Sequence, residues 1–237
     1  MAAGGVDPDE DVRLVVLPPP YMVDSIAGGQ IDAFCVGAPW NSIAVDRGVG
    51  QILHFVSDIL VRAAEKLLAL RQGWSEKNPE LVAALVRAAF RAADFIEQPE
   101  NRAEVAAVLA RPERIGVDAD VIQRTLDGRL KISADGTIRE SSRYLLVGRE
   151  GAPRPDPAQA AWLYAQMVRW GQAAISREAL AVAKAVFRPD LYDAALGTRG
   201  ETDRRAVDSV GAFAGPTFDP ADVAGYLASF KVSRRAP

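Results

Sequence analysis

In 237 residues the sequence has one cysteine and one histidine. A single cysteine, Cys35, excludes an internal disulfide, and the redox compartment cannot be read without a second thiol. One histidine and one cysteine cannot build a zinc site, which needs several such ligands at short spacing. Cys35 and His54 as nucleophile and base are set aside. Cys35 lies inside the apolar run Ile31–Val36, where a free cysteine is expected to be a small buried hydrophobe. No run of 18 apolar residues occurs, so no membrane-spanning helix is expected. The formal charge of −3 and pI near 5.4 lack the basic excess of a nucleic-acid surface. There is no G-x-S-x-G, no Walker loop and no G-x-G-x-x-G, and Gly48-Val49-Gly50 alone carries no chemistry. Asp7, Asp9 and Glu10 read as a solvated lead segment. No enzymatic constellation remains, and no cofactor or metal is expected.

What is present is ordinary globular material. With 49% hydrophobic and 25% charged residues, the length suits one large domain or two small ones. The organising stretch is Arg13 to Asn41, RLVVLPPPYMVDSIAGGQIDAFCVGAPWN. Arg13–Leu17 is β-branched and apolar, as expected of a strand buried on both faces. Pro18, Pro19 and Pro20 end it, because each removes a ladder donor and locks φ. Tyr21–Ala27 has Met22, Val23 and Ile26 at helical spacing, and Gly28-Gly29 closes it. Ile31–Val36 reads as a second strand, and Gly37-Ala38-Pro39 opens a helix with Pro39 at its first position. A strand–helix–strand unit places the loops after both strands, 18–20 and 37–40, at one sheet edge, where open α/β sheets bind ligands.

The runs PPPYMV and GGQIDAFCVGAPWN resemble the nitrate- and bicarbonate-binding branch of the ABC-transporter solute-binding proteins. The similarity continues into AAEKLLALRQGWSEKNPE and, more loosely, FDPADVAGYLASF. It covers most of the chain but only the later part of that family's pattern, so the first part is expected to be missing. The resemblance implies an α/β, helix-rich fold, the C-terminal part of a two-lobed type II periplasmic-binding-protein-like fold. Residues 1–47 would finish the second lobe. Residues 48–237 would supply a hinge near Gly48–Gly50 and much of the first lobe.

In the remaining chain, Gln51–Val56 and Lys66–Arg71 read as strands and Ser57–Ala64 is ambiguous. Asn78-Pro79-Glu80 starts a helix with Leu81, Leu85, Ala88, Ala92 and Ile96 on its expected buried stripe. Glu100–Ala110 and Asp118–Leu126 read as short helices, and Asp127–Arg139 as a loop or weak hairpin. Asp156-Pro157 starts a helix with Ala160, Leu163, Met167 and Trp170 on its apolar side, and Ser176–Phe187 is another. Gly197–Pro216 is a long polar loop. Asp219-Pro220 opens a last helix, and residues 233–237 form a basic tail. The four tryptophans are expected in the core, with Trp40 the best candidate for a cleft wall.

Lys66 is the leading site residue. It is one of five lysines in a chain that otherwise uses arginine, and it opens an apolar run. The resemblance places it where nitrate-binding members set a lysine against the anion; the bicarbonate member has a carboxylate there, working with calcium. An ammonium offers three donors to a flat monoanion without demanding one geometry. From the residues alone, Lys66 reads instead as a solvated side chain paired with Glu65. Gly37, beside Val36, would let the backbone approach the ligand with the helix N-terminus behind it, and Pro19 would form the opposite apolar wall. Turn geometry alone also accounts for both. Family members often carry an acid at the position of Ala38; this chain has none there, so the resemblance does not carry over a hinge role for that acid.

The function implied is non-catalytic binding of nitrate or nitrite for delivery to an ABC permease, in the periplasm. The N-terminal MAAGGVDPDEDVR lacks a cationic start and an apolar segment, so it does not read as a signal peptide. One alternative is a cytoplasmic nitrate sensor that holds an RNA-binding antiterminator. Another is a truncated fragment that binds nothing.

Overall fold

The computed structural model describes residues 1–197 and 210–231. The expected loop at 197–216 falls largely, and the basic tail wholly, outside them. The chain divides into two compact units that interleave in sequence. One is Met1–Arg13, Val56–Ala92 and Glu150–Pro237; the other is Leu14–Phe55 and Ala93–Arg149.

The second unit is built from α1 (Met22–Ala27), α2 (Trp40–Asp46), α6 (Arg102–Leu109), α7 (Ala119–Asp127) and the hairpin β2 (Arg129–Lys131)–β3 (Ile138–Glu140). A short 3-10 turn, Pro19–Tyr21, leads into α1. The hairpin pairs Leu130 with Arg139, so the weak hairpin signal at 127–139 is real structure. Its tip is held by Asp135, whose carboxylate takes the Ser133 hydroxyl and the Thr137 N–H. The core of this unit is Val23, Val45, Phe55, Ala106, Ile122 and the fully buried Leu130. Gly128, at φ +65°, ends α7 in the left-handed conformation, with Ser141 O in the space a side chain would need.

The first unit contains α3 (Val56–Ile59), β1 (Leu60–Arg62), α4 (Gln72–Lys77), α8 (Pro157–Arg169), α9 (Arg177–Val186), α10 (Pro189–Leu196), β4 (Gly211–Ala212) and α11 (Val223–Ala228), with α5 (Pro79–Glu97) beginning in it. β1 and β4 pair antiparallel. Ala161, Ala165, Val210, Phe218, Val223 and Tyr226 form its core. The alanines let α9 and α11 approach α8 closely. Tyr226 packs edge-on against Phe218 and Phe230, and its hydroxyl accepts from Trp162 Nε1 at 3.2 Å and Gln166 Nε2 at 3.1 Å.

Several expectations need correction. Arg13–Leu17, Ile31–Val36, Gln51–Val56 and Lys66–Arg71 are not ladder strands: most of these residues are irregular, with a bend at Asp32, and Val56 opens α3. An apolar β-branched run reports a tendency to be buried, but a strand exists only through its neighbour. Cys35 is exposed, not buried, because its run lacks that cover. α2 begins at Trp40, with Pro39 as its cap residue. On α5 the buried residues are Val82 and Ala93, while Leu81 and Leu85 are 54% and 40% exposed. The period was right and the phase was off by one residue, since LVAALV offers two apolar stripes. On α8, Leu163 and Met167 are exposed and Ala160, Ala161, Tyr164 and Ala165 are buried. Trp74 is 39% exposed rather than core.

Candidate functional site

The two loops singled out from the sequence, around Pro19 and Gly37–Trp40, lead into helices of the same unit. α1 and α2 lie side by side. A side chain at Gly50 would meet Ala44 at 3.4 Å and Ile26 at 3.9 Å, so residues late in both helices converge there. Arg47 at the end of α2 pairs with Asp24 of α1 at 2.6 Å. Gly48, at φ +68°, and Gly50 lie inside this unit, in the turn that closes α2.

The 37–41 turn is rich in unused donors. Among the described residues, the backbone N–H groups of Gly37, Ala38, Trp40 and Asn41 have no protein partner. Pro39 is buried, while Val36, Gly37 and Trp40 are half-buried and Pro19 is exposed. Asn41 fixes the turn from behind: its Nδ2 donates to Tyr144 Oη at 3.0 Å, and its buried Oδ1 has no partner. Tyr144 in turn packs edge-on against buried Phe55, ring centroids 4.8 Å apart. Asn41 lies in the family-like run, but no local sequence signal connects it with Tyr144, 103 positions away.

Lys66 belongs to the other compact unit. Its side chain is 83% exposed, and its Nζ lies 2.7 Å from Glu65 Oε1. Such an exposed pair contributes little and exchanges readily, so the ammonium remains free to take another anion. The structure thus places Val36, Gly37 and Trp40 in one turn with Pro19 in a second loop of the same unit, and Lys66 in an exposed irregular segment of the other unit.

A hollow of about 410 Å³ in the second unit is lined by Asp46, Asp120, Arg124, Lys131, Gly136 and Ile138, none of them an expected site residue. Its charges satisfy one another. Arg124 Nη2 is 2.6 Å from Asp46, its Nε is 2.9 Å from Asp120, and Lys131 Nζ is 3.7 Å from Asp46. The hydrogen bond to Asp46 chiefly raises the Arg124 pKa. Two acids against two bases leave no net field for an anion.

Sequence reading also missed Glu97 at the end of α5. Its Oε1 accepts from Val147 N and Gly148 N, both at 2.8 Å, and from Arg149 N at 3.4 Å; its Oε2 pairs with the Arg149 guanidinium. Successive backbone N–H groups around one anion form a nest, here filled by the protein's own carboxylate. Burial raises the Glu97 pKa, but the Gly148, Val147 and Arg149 bonds outweigh it and hold the carboxyl below its ordinary value. The partners are some 50 residues apart, so no local pattern announces them. Among the described residues, no group of three or more His, Cys, Asp or Glu side chains is placed to hold a metal, and no helix is long and apolar enough to cross a membrane.

The crystal structure of the periplasmic nitrate-binding protein NrtA from Synechocystis PCC 6803 matches 98% of this chain with a TM-score of 0.89 and 27% identity. The chain is similar to nitrate- and bicarbonate-binding proteins over nearly its whole length. Residues 1–110 also match the NMT1-like family. The nitrate/nitrite binding protein NrtA of Synechococcus elongatus is 32% identical over 98% of this chain and 53% of its own length. The nitrate import ATP-binding protein NrtC of Synechocystis is 32% identical over 99% of this chain and 35% of its own length. The bicarbonate-binding protein CmpA of a Synechococcus strain is 29% identical over 98% of this chain and 55% of its own. The chain therefore spans about half the length of the curated binding proteins it matches, and 62% of the Synechocystis structure. The α/β, helix-rich solute-binding fold read from the sequence is borne out, and among the described residues its strands form two short two-stranded pairs.

Proposed function

We propose that this chain takes part in binding a small inorganic oxyanion, nitrate or nitrite first, as the solute-binding component of an ABC importer. The observation that carries the reading is the 37–41 turn, with four backbone donors that no protein group satisfies. Oriented N–H groups make a neutral cradle that favours anions without choosing a charge count. Lys66 would supply the positive charge, and Pro19, Val36 and Trp40 the apolar walls that exclude water from a flat ion. Nitrate is favoured over bicarbonate because position 66 holds an ammonium, where the bicarbonate branch has a carboxylate working with calcium. The relatives reported above are import proteins or binding proteins, which favours transport over sensing and binding over catalysis. A permease would be the partner, and the periplasm the place of action. That residues 1–47 complete one lobe and residues 48–237 build a hinge and much of the other belongs to the same reading.

The test is calorimetry on this chain joined to the share of Synechocystis NrtA that it does not match. The joined protein is expected to bind nitrate at micromolar concentration, and Lys66→Ala to weaken it roughly tenfold to a hundredfold, since a hydrogen bond to a charged group contributes about 1.5–3 kcal/mol. Unchanged affinity in Lys66→Ala removes Lys66 from the site. Absence of any anion heat from the joined protein removes the function. The chain by itself is expected to show no specific nitrate binding.

A further inference from the structure

The hollow of about 410 Å³ in the second unit has the volume of a small-molecule pocket rather than of a packing flaw. Three elements meet there. α2 ends in Asp46, α7 supplies Asp120 and Arg124 one turn apart, and the hairpin supplies Lys131, Gly136 and Ile138. Lys131 and Ile138 are directly paired across the hairpin, so their side chains share one face.

Ion pairs that brace the hairpin account for only part of this cluster. Arg124 is held by both acids. Lys131 is not held in the same way. Its Nζ lies 3.7 Å from Asp46, beyond hydrogen-bond reach, and among the described residues it makes no hydrogen bond. Asp135 senses this ammonium through space, but its Oδ1 already accepts from Ser133 and Thr137. The Asp120 side chain is 78% exposed, with only its Oδ2 engaged among the described residues. Ile138 is 57% exposed, and a side chain at Gly136 would meet nothing within 4 Å. The hollow therefore keeps an ammonium, a carboxylate oxygen and an apolar surface in reserve.

The occupant follows from that set. A simple anion meets Asp46 and Asp120, and a simple cation meets Arg124 and Lys131, so neither finds a net field. An uncharged apolar molecule would strip water from charged groups without replacing it. A small zwitterion with a hydrocarbon side chain matches all three reserves at once. We propose that this hollow binds an α-amino acid with an apolar side chain, its carboxylate on Lys131, its ammonium on Asp120 and its side chain against Ile138. Charge-assisted hydrogen bonds at the two ends set its orientation. The hollow shares no residue with the 36–41 turn, Pro19 or Lys66, so the proposal stands or falls separately from anion binding.

The probe is L-leucine, added to this chain without nitrate and followed by nitrogen-15 NMR. The Lys131, Gly136 and Ile138 amides are expected to shift together and saturate with a constant of about 0.1–1 mM. Two analogues carry one charge each: 4-methylpentanoate lacks the ammonium and 3-methylbutylamine lacks the carboxylate. Each is expected to bind about tenfold more weakly or worse, because one hydrogen bond between charged groups is lost. Lys131→Gln and Asp120→Asn are expected to weaken leucine by a similar factor. Asp120 is largely exposed, so Asp120→Asn should keep the parent's circular dichroism and melting temperature. Absence of saturable shifts up to about 10 mM leucine overturns the proposal. So do shifts confined to residues outside the hollow, equal binding of either analogue, or unchanged leucine affinity in both variants.

Discussion

Removing the Glu97 carboxylate tests how the 147–149 segment is held. The side chain is 11% exposed and satisfies Val147 N–H and Gly148 N–H at 2.8 Å, besides the Arg149 guanidinium. Glu97→Ala would leave two half-buried donors and a guanidinium without their acceptor. An orphaned buried donor costs about 1–3 kcal/mol and a broken buried ion pair about 3–5 kcal/mol. Water reaches this half-buried site and recovers part of that loss, so the expected net cost is about 2–3 kcal/mol. For a chain of this size that corresponds to a fall of about 5–10 °C in melting temperature. Glu97→Gln keeps an acceptor for the N–H groups and should lose roughly half as much. The pH dependence has a definite sign. A carboxyl held below its ordinary value contributes stability above the ordinary carboxylate range, and that contribution is lost as pH falls through the lower folded value. Glu97→Gln should therefore flatten the acid limb of the stability curve. Urea titrations between pH 3 and 7 read both effects. If Glu97→Ala unfolds within about 0.5 kcal/mol of the parent, the nest contributes nothing and the reasoning is wrong.

Other substitutions probe separate parts of the account. Gly148→Ala would place a methyl group 2.7 Å from Ala93 O and 2.8 Å from Glu97 Cγ, and thermal melting should show a loss of at least about 2 kcal/mol. Tyr226→Phe removes the acceptor of Trp162 and Gln166 in the α8–α11 core and should cost about 1–2 kcal/mol in denaturant titration. Tyr164→Phe frees the turn after α8, since that hydroxyl bonds Ala174 O at 2.6 Å and accepts from Ser176 N at 2.9 Å. Faster amide exchange at Ser176 should report it.

Features set by a few adjacent residues were legible in the sequence. Asp156-Pro157 begins α8, with the Asp156 side chain accepting from Ala158 N at 2.9 Å, and Ser176 caps α9 in the same manner. The hairpin at 129–140 and the 3-10 turn at the triple proline were also within reach of local chemistry. Pairing was not. The β-branched run 13–17 has the composition of a central strand, yet composition cannot say whether a neighbour is present. Periodicity likewise fixed that α5 is amphipathic, but with leucines and valines adjacent it could not choose between stripes one residue apart. In the candidate site, Gly37 and Pro19 could be singled out as turns before helices. The bracing of that turn by Asn41 and Tyr144 and the filled nest at 147–149 join distant segments, which no short window contains.

The central claim is that the 37–41 turn and Lys66 grip a flat anion. Nitrogen-15 NMR of this chain, joined to the unmatched share of Synechocystis NrtA and titrated with nitrate, tests it most directly. The account predicts that the Gly37, Ala38, Trp40 and Asn41 amides shift together and saturate with one micromolar constant, while Lys66→Ala moves that constant upward. Nitrate shifts confined to other residues, with those four amides unmoved, would contradict it.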